Sequence, residues 1–175
     1  MILKLTLIMV TSIDGVIARS ADENSFTWNS KEDRIHFREM TKRIGTVVLG
    51  SNTFRAAGAK ALAERHNVVL TSDSGKFSEI DAETTEFVSG SAKEIYEILK
   101  KKDIEHAALI GGGNVNNQFL AAGLVDDIYL TIEPRVFGAG IHLAGAEKLE
   151  VALKLESVEK LNERGTLLLH YEVLK

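Results

Sequence analysis

The sequence predicts a single α/β domain over residues 1–175, with a mostly parallel central sheet, helices on both faces and a C-terminal antiparallel hairpin. Three observations carry this. Ile2 to Val10, Thr46 to Leu49 and Ala107 to Ile110 are short, nearly continuous apolar runs, the pattern of strands covered on both faces. Between them lie stretches whose apolar residues recur at helical spacing. Only the last part alternates, with Val151, Leu153 and Leu155, then Leu167, Leu169, Tyr171 and Val173, on either side of a polar turn around Asn162 to Gly165.

Taken in order, the first strand ends at Thr11 and Ser12, and Asp14-Gly15 marks a turn. Residues 18–27 are small and polar without a period and form a surface loop. Ser30 is placed to cap a helix from Lys31 to about Arg43. Gly50 closes the strand Thr46 to Leu49, and Asn52 to Glu64 then reads as a helix and Asn67 to Thr71 as a strand. Phe77 to Glu86 reads as a polar connection, followed by a helix that Ser91 caps and that runs to about Lys102. Asp127 to Glu133 is a further strand, stopped by Pro134, the only proline.

Composition narrows the class. The 175 residues suffice for a core without disulfides or a structural metal, and the absence of cysteine excludes thiol chemistry and fits a reducing cytoplasm. A net charge of −4 with mixed signs gives no basic footprint for nucleic acid. The apolar N-terminus lacks a basic leader and is too short to span a bilayer, so it reads as a buried strand and no membrane association is expected. The five histidines show no metal-ligand spacing, and no metal is expected.

The stretch His106 to Leu124 joins a short apolar run to three glycines, Gly111 to Gly113, and then to Val115, Phe119, Leu120 and Leu124 at helical spacing. Bare backbone before a helix N-terminus suits a phosphate, which meets unpaired N–H groups and the positive end of the helix dipole. A tight turn is the competing reading. The Rossmann fingerprint is absent, because Asn116 stands where its third glycine belongs, and Gly138 and Gly140 are followed by Leu143 at the corresponding place.

In Thr27 to Thr41 a helix places Asp33, Phe37, Met40 or Thr41, and Ile44 on one stripe, so a carboxylate sits on the apolar face. Ser30 to Asp33 also fits a capping box, which would make Asp33 a helix-start residue. Alternatively, a carboxylate at the rim of an apolar pocket can hold a cationic or amide-like ring edge by two hydrogen bonds and, with its pKa raised by burial, manage a proton.

Several stretches in order resemble the dihydrofolate reductase superfamily, which includes the reductase domain of riboflavin biosynthesis. They are Asp14-Gly15-Val16-Ile17, Trp28-Asn29 with Asp33, Phe37 and Thr41, Gly50-Ser51-Asn52-Thr53-Phe54, Arg65 to Ser72, Ile110 to Val115 with Gln118-Phe119-Leu120, and Tyr129-Leu130-Thr131. The resemblance implies that family's three-layer fold and hydride transfer from NADPH to a C=N bond of a pterin, with 7,8-dihydrofolate as the substrate. It implies that Asp33 anchors the amino-pyrimidine edge and promotes protonation, with Thr131 and Trp28 beside it as further catalytic positions. Val10, Phe37, Ile110 and Arg65 would contact the substrate, Arg65 through a tail carboxylate. Ile17, Gly50, Ser51, Asn52, Thr53, Thr71, Ser72, Gly111, Gly112, Gly113, Asn114 and Val115 would hold the cofactor, with a cis peptide between Gly111 and Gly112. The loop before Trp28 would close over the nicotinamide.

The sequence also departs from the family. Ser51 and Asn114 replace frequent cofactor arginines and Asn116 replaces a tyrosine near the nicotinamide, which leaves Thr71, Ser72 and Lys76 for the 2′-phosphate. Residues 18–27 are longer than the usual loop. Leu124 to Asp127 and Pro134 to Gly140 resemble the riboflavin branch, which implies as an alternative a ribosylamino-pyrimidine phosphate substrate with Arg34, Arg38 or Arg135 as its basic site. A nucleotide-binding protein without turnover is the third reading. Monomer and homodimer are both compatible with the sequence.

Overall fold

The structure, a computed structural model, describes residues 2–73, 83–145 and 149–175. Eight strands form the main sheet in the order β5-β4-β3-β6-β1-β7-β10-β9. They are β1 (Lys4–Ser12), β3 (Thr46–Gly50), β4 (His66–Leu70), β5 (Thr85–Val88), β6 (His106–Leu109), β7 (Asp127–Glu133), β9 (Leu153–Lys160) and β10 (Leu167–Val173). From β5 to β7 all pairings are parallel, while β10 runs antiparallel to both β7 and β9. Two short strands, β2 (Val16–Ala18) and β8 (Ile141–His142), pair separately.

The buried runs alternate in which face they cover. Leu5 and Leu7 of β1, Val48 of β3 and Ala107 and Leu109 of β6 pack with Ile95 and Leu99 of helix α3 (Ala92–Lys101) and Phe119 of α4 (Gly113–Ala121). Ile8, Val47, Leu49 and Ala108 point the other way, onto Met40 of α1 (Lys31–Ile44) and Phe54 of α2 (Ser51–Ala56). Both faces of β1, β3 and β6 are buried, which is why these strands read as unbroken apolar runs.

The helix start expected at Lys31 is capped as predicted. The Ser30 side chain accepts the Asp33 N–H, and Gly45, at φ 85°, ends the helix by donating its N–H to the Thr41 carbonyl. The helix expected over 52–64 is only the six residues of α2. Gly58 at φ 80° and Ala59 at φ 52° turn the chain left-handed, and the Ala59 N–H closes on the Phe54 carbonyl at 2.9 Å. Of the connection expected over 77–86, only 83–86 are described, and its last two residues already belong to β5. Neither β5 nor β8 is visible in the hydropathy pattern, because β5 carries Thr85 and Glu86 at an edge and β8 has two residues.

Candidate active site

The carboxyl ends of β1, β3, β4, β5 and β6 open into one cavity of about 800 Å³. In a doubly wound sheet this is where ligand crevices form, at the point where successive strands are added on opposite sides. Here β1 leads to β3 on one side, and β7 is added on the other.

One end of the cavity is built on glycine. The Gly50 N–H donates to the Gly111 carbonyl at 2.9 Å, joining the ends of β3 and β6. The Gly111–Gly112 peptide is cis, and Gly113 opens the nine-residue α4. Each glycine has its own reason. Gly111 has φ +94° and lies on the Met9 side chain, a Cβ on Gly112 would come within 3.1 Å of Thr53 Oγ1, and a Cβ on Gly113 would run into the His142 carbonyl. Gly112, Gly113, Asn114 and Val115 line the cavity together with Gly50, Ser51, Asn52, Thr53, Thr71 and Ser72. Unpaired N–H groups of the first turn of α4 therefore face the same space as several hydroxyl and amide groups, a setting suited to phosphate oxygens.

The other end is acidic and apolar. Asp33, on the first turn of α1, is 4% exposed and opens into the cavity beside Phe37, Val10 and Ile110. Asn29 donates to its carboxylate at 2.6 Å. Burial raises the Asp33 pKa above the usual carboxylate range, opposed by hydrogen bonds from Thr131 and Asn29, while the negative charge of Glu133 pushes further upward and Arg34 pulls down. A carboxyl that carries a proton more readily than usual, aimed into an apolar cavity, can hold a polar ring edge or pass a proton.

Residues 3–167 match the RibD C-terminal domain family model. The chain belongs to the RibD C-terminal domain family. It is similar to the dihydrofolate reductase of Ureaplasma parvum, 29% identical over 117 residues, which span 67% of this chain and 68% of that one. Its fold is that of a pyrimidine reductase-like protein from Corynebacterium diphtheriae (TM-score 0.81, 16% identity, 99% of this chain and 92% of that one). It is also that of the Enterococcus faecalis dihydrofolate reductase solved with NADP(H) (TM-score 0.73, 24% identity, 98% and 97%).

In this RibD C-terminal domain most residues expected at the site meet in one cavity, Ile17 of β2 included, but four do not line it. Gly111 lies behind its neighbours. Thr131, 1% exposed, bonds Asp33 from the β7 side. Trp28, expected beside the acid, packs its ring edge-on against Phe137 at 5.2 Å, and its indole nitrogen is buried without a hydrogen-bond partner among the described residues. Arg65, expected to meet a tail carboxylate, is instead turned inward. It donates to Thr41 Oγ1 at 2.9 Å, to the Ala63 carbonyl at 2.6 Å and to the Arg38 carbonyl at 3.3 Å, so its guanidinium holds α1 to the segment before β4. Asn116 is also withdrawn, donating to the Leu143 carbonyl at 2.8 Å.

Residues outside the expected set also matter. Lys60 is the cation among the described residues of the cavity wall, and Ser89 and Gly90, just past β5, and Ile141 of β8 also line it. Glu133 lies outside the expected set as well, although an acid two residues beyond Thr131 on the same strand is a signal the sequence carries. Lys76, a candidate for the cofactor 2′-phosphate, lies outside the described residues. No group of metal-ligating side chains large enough to hold an ion occurs among the described residues, and no helix among them is long and apolar enough to cross a membrane.

Proposed function

We propose that the chain is an NADPH-dependent reductase that transfers hydride to a C=N bond of a ring with an amino-pyrimidine edge, with 7,8-dihydrofolate as its substrate. The observation that carries this is the buried Asp33 carboxyl opening into the same cavity as the glycine-headed α4. NADPH would supply the hydride. Gly112 to Val115 and Thr53 would receive its pyrophosphate, Gly50 to Asn52 would flank it, and Thr71 and Ser72 would take the far ribose. Ile17 would lie by the nicotinamide. The bare Gly112 backbone fits such a cofactor, since a Cβ there would crowd Thr53.

Asp33 would accept two hydrogen bonds from the amino group and ring nitrogen of the substrate, and its raised pKa lets it favour protonation of the nitrogen beside the reduced carbon. Thr131 would fix the carboxyl from behind, Phe37 would pack on the substrate, and Val10 and Ile110 would keep water from the reacting bond. Trp28 would act only by holding Phe137 and the loop before α1. Lys60, not Arg65, would meet an anionic tail.

A second reading keeps the cofactor and ring edge but takes a ribosylamino-pyrimidine phosphate, and the RibD family match favours it. Arg34, Arg38 and Arg135, its expected basic site, do not line the cavity, which leaves Lys60 for the phosphate. The test is NADPH absorbance with dihydrofolate in one cuvette and the phosphorylated pyrimidine in another. Oxidation with dihydrofolate alone supports the first reading, oxidation with the pyrimidine alone supports the second, and no oxidation in either with NADPH still bound refutes both in favour of binding without turnover.

A further inference from the structure

Glu133 is a second buried carboxylate next to Asp33. It is 4% exposed, at the end of β7, and among the described residues it makes no ion pair. A buried carboxylate without a cation is costly unless its lone pairs are used. Those of Glu133 are used on two elements. One oxygen accepts the backbone N–H of Ser30 at 2.7 Å, and the other accepts the Thr166 hydroxyl at 2.8 Å. Ser30 is the cap of α1, and its own side chain accepts the Asp33 N–H at 3.2 Å. On the far side Asn162 joins Thr166, at 2.9 Å, to Glu32 of α1, at 3.1 Å. Thr131 and Glu133 are two apart on one strand and so face the same side, toward the start of α1.

We propose that Glu133 is a positioning residue for Asp33: it fastens the first turn of α1 to β7 and the β9–β10 turn, so that the Asp33 carboxyl is presented to the cavity in one orientation, with a negative charge behind it. The proposal rests on the reading of Asp33 as the acid of a reductase. Two functions are combined in one side chain. As an acceptor, Glu133 fixes the N-terminus of the helix whose third residue is Asp33. As a charge, it adds to burial in holding a proton on Asp33, with Arg34 on α1 as the other charged group acting on it.

The two functions separate in variants. Glu133→Gln keeps an acceptor for Ser30 and removes the charge. With the Asp33 carboxyl carbon followed by ¹³C NMR through a pH titration, assigned by its absence in Asp33→Asn, Glu133→Gln is expected to shift the Asp33 midpoint downward, because the neighbouring negative charge that favours the protonated form is gone. Thr166→Val leaves the charge and frees one Glu133 oxygen. It is expected to leave the midpoint raised while slowing hydride transfer about tenfold with NADPH affinity unchanged. In the Asp33→Asn background, Glu133→Gln is expected to change the rate by less than about twofold, because its effect passes through Asp33.

A Glu133→Gln titration that overlays the wild type, or a rate change in the Asp33→Asn background as large as Glu133→Gln causes alone, overturns the proposal. If Glu133→Gln fails to fold, a Thr166→Val rate equal to wild type overturns it instead. The NMR titration needs no turnover, so an enzyme inert to both substrates would sink the substrate reading while leaving the Glu133 result readable.

Discussion

Replacing Asp33 with Asn should raise stability while destroying activity, and the same burial causes both. The Asp33 carboxyl is 4% exposed, and its pKa is raised chiefly because burial penalises the charged form. A carboxyl with a higher pKa folded than unfolded binds its proton more tightly when folded. The fold is therefore favoured at acid pH, and it loses that advantage as pH climbs from the ordinary carboxylate value through the raised one. Above both values the native state carries a penalty of about 1.4 kcal/mol for every pH unit that separates the folded titration from the unfolded one. Asn is isosteric and uncharged and can still bond Asn29 and Thr131, so Asp33→Asn lifts that penalty at neutral pH. Its thermal midpoint should match or exceed the wild type near pH 7, and the difference should vanish or reverse near pH 4. Hydride transfer to dihydrofolate should fall by about 10² to 10⁴, the usual contribution of a positioned acid, and the remaining rate should no longer follow the Asp33 titration. The assays are a melting curve at the two pH values and single-turnover loss of NADPH absorbance. A variant that is several kcal/mol less stable at neutral pH yet fully active would show that Asp33 is only the third residue of a capped helix.

Other substitutions test the rest of the wall. Gly112→Ala should fold normally, since its Cβ meets only the Thr53 hydroxyl at 3.1 Å, but weaken NADPH binding about tenfold by fluorescence titration. Gly113→Ala meets the His142 backbone and should instead destabilise the protein by roughly 1–3 kcal/mol in a denaturant melt. Arg65→Met abandons three hydrogen bonds and should cost about 2–4 kcal/mol of stability with the KM for dihydrofolate changed less than about twofold, whereas Lys60→Ala should raise that KM by roughly three- to tenfold with stability unchanged. The Asp14 carboxyl is held at about 2 by the Ser12 hydroxyl and the Gly138 and Phe137 N–H groups. Its depressed pKa stabilises the fold above the ordinary carboxylate value, and that stabilisation disappears as pH falls toward about 2. Asp14→Asn should therefore melt below the wild type near pH 6 and alongside it near pH 2.

Features set by neighbours in sequence were legible in the sequence alone. The Ser30 and Ser91 caps, the unbroken runs of β1, β3 and β6 and the antiparallel hairpin of β9 and β10 each follow from a local rule and each appears in the fold, although β9 is exposed along its whole length and does not bury the apolar face its alternation predicts. The same holds for Asp33, whose place on the apolar stripe of α1 follows from helical spacing alone. What failed depended on distant partners. α2 ends at Ala56 because the chain turns left-handed at Gly58 and Ala59, a choice that Ala59 does not advertise. β8 exists only because Val16 and Ala18 offer it a partner. Arg65 is the clearest case. Its residue type suits an anion, but whether the guanidinium faces the cavity or the protein is decided by Thr41 on α1 and two carbonyls, which no spacing rule supplies.

The wall around Ile17 shows how such distant pairings shape the site. The Ile13 N–H donates to the Arg135 carbonyl at 2.8 Å, and the Leu143 N–H to the Gly15 carbonyl at 3.1 Å. Asp14 accepts the Gly138 N–H at 2.7 Å, and a Cβ on Gly140 would come within 2.5 Å of the Ala18 carbonyl. Residues 13–18 are thus laced to 135–143 by these hydrogen bonds and by the β2–β8 pairing, and the loop beyond them, residues 19–27, lies between this brace and α1. It keeps its own closure, with Arg19 bonded to Glu23 and Phe26 edge-on to Phe37 at 5.9 Å. The segment after Pro134, whose sequence resembles the riboflavin branch, therefore braces the strand that carries Ile17. Arg135 supports that brace through its carbonyl, which accepts the Ile13 N–H, and does not itself line the cavity. Exchanging residues 135–143 should accordingly change how a nicotinamide is held before it changes which ring Asp33 accepts.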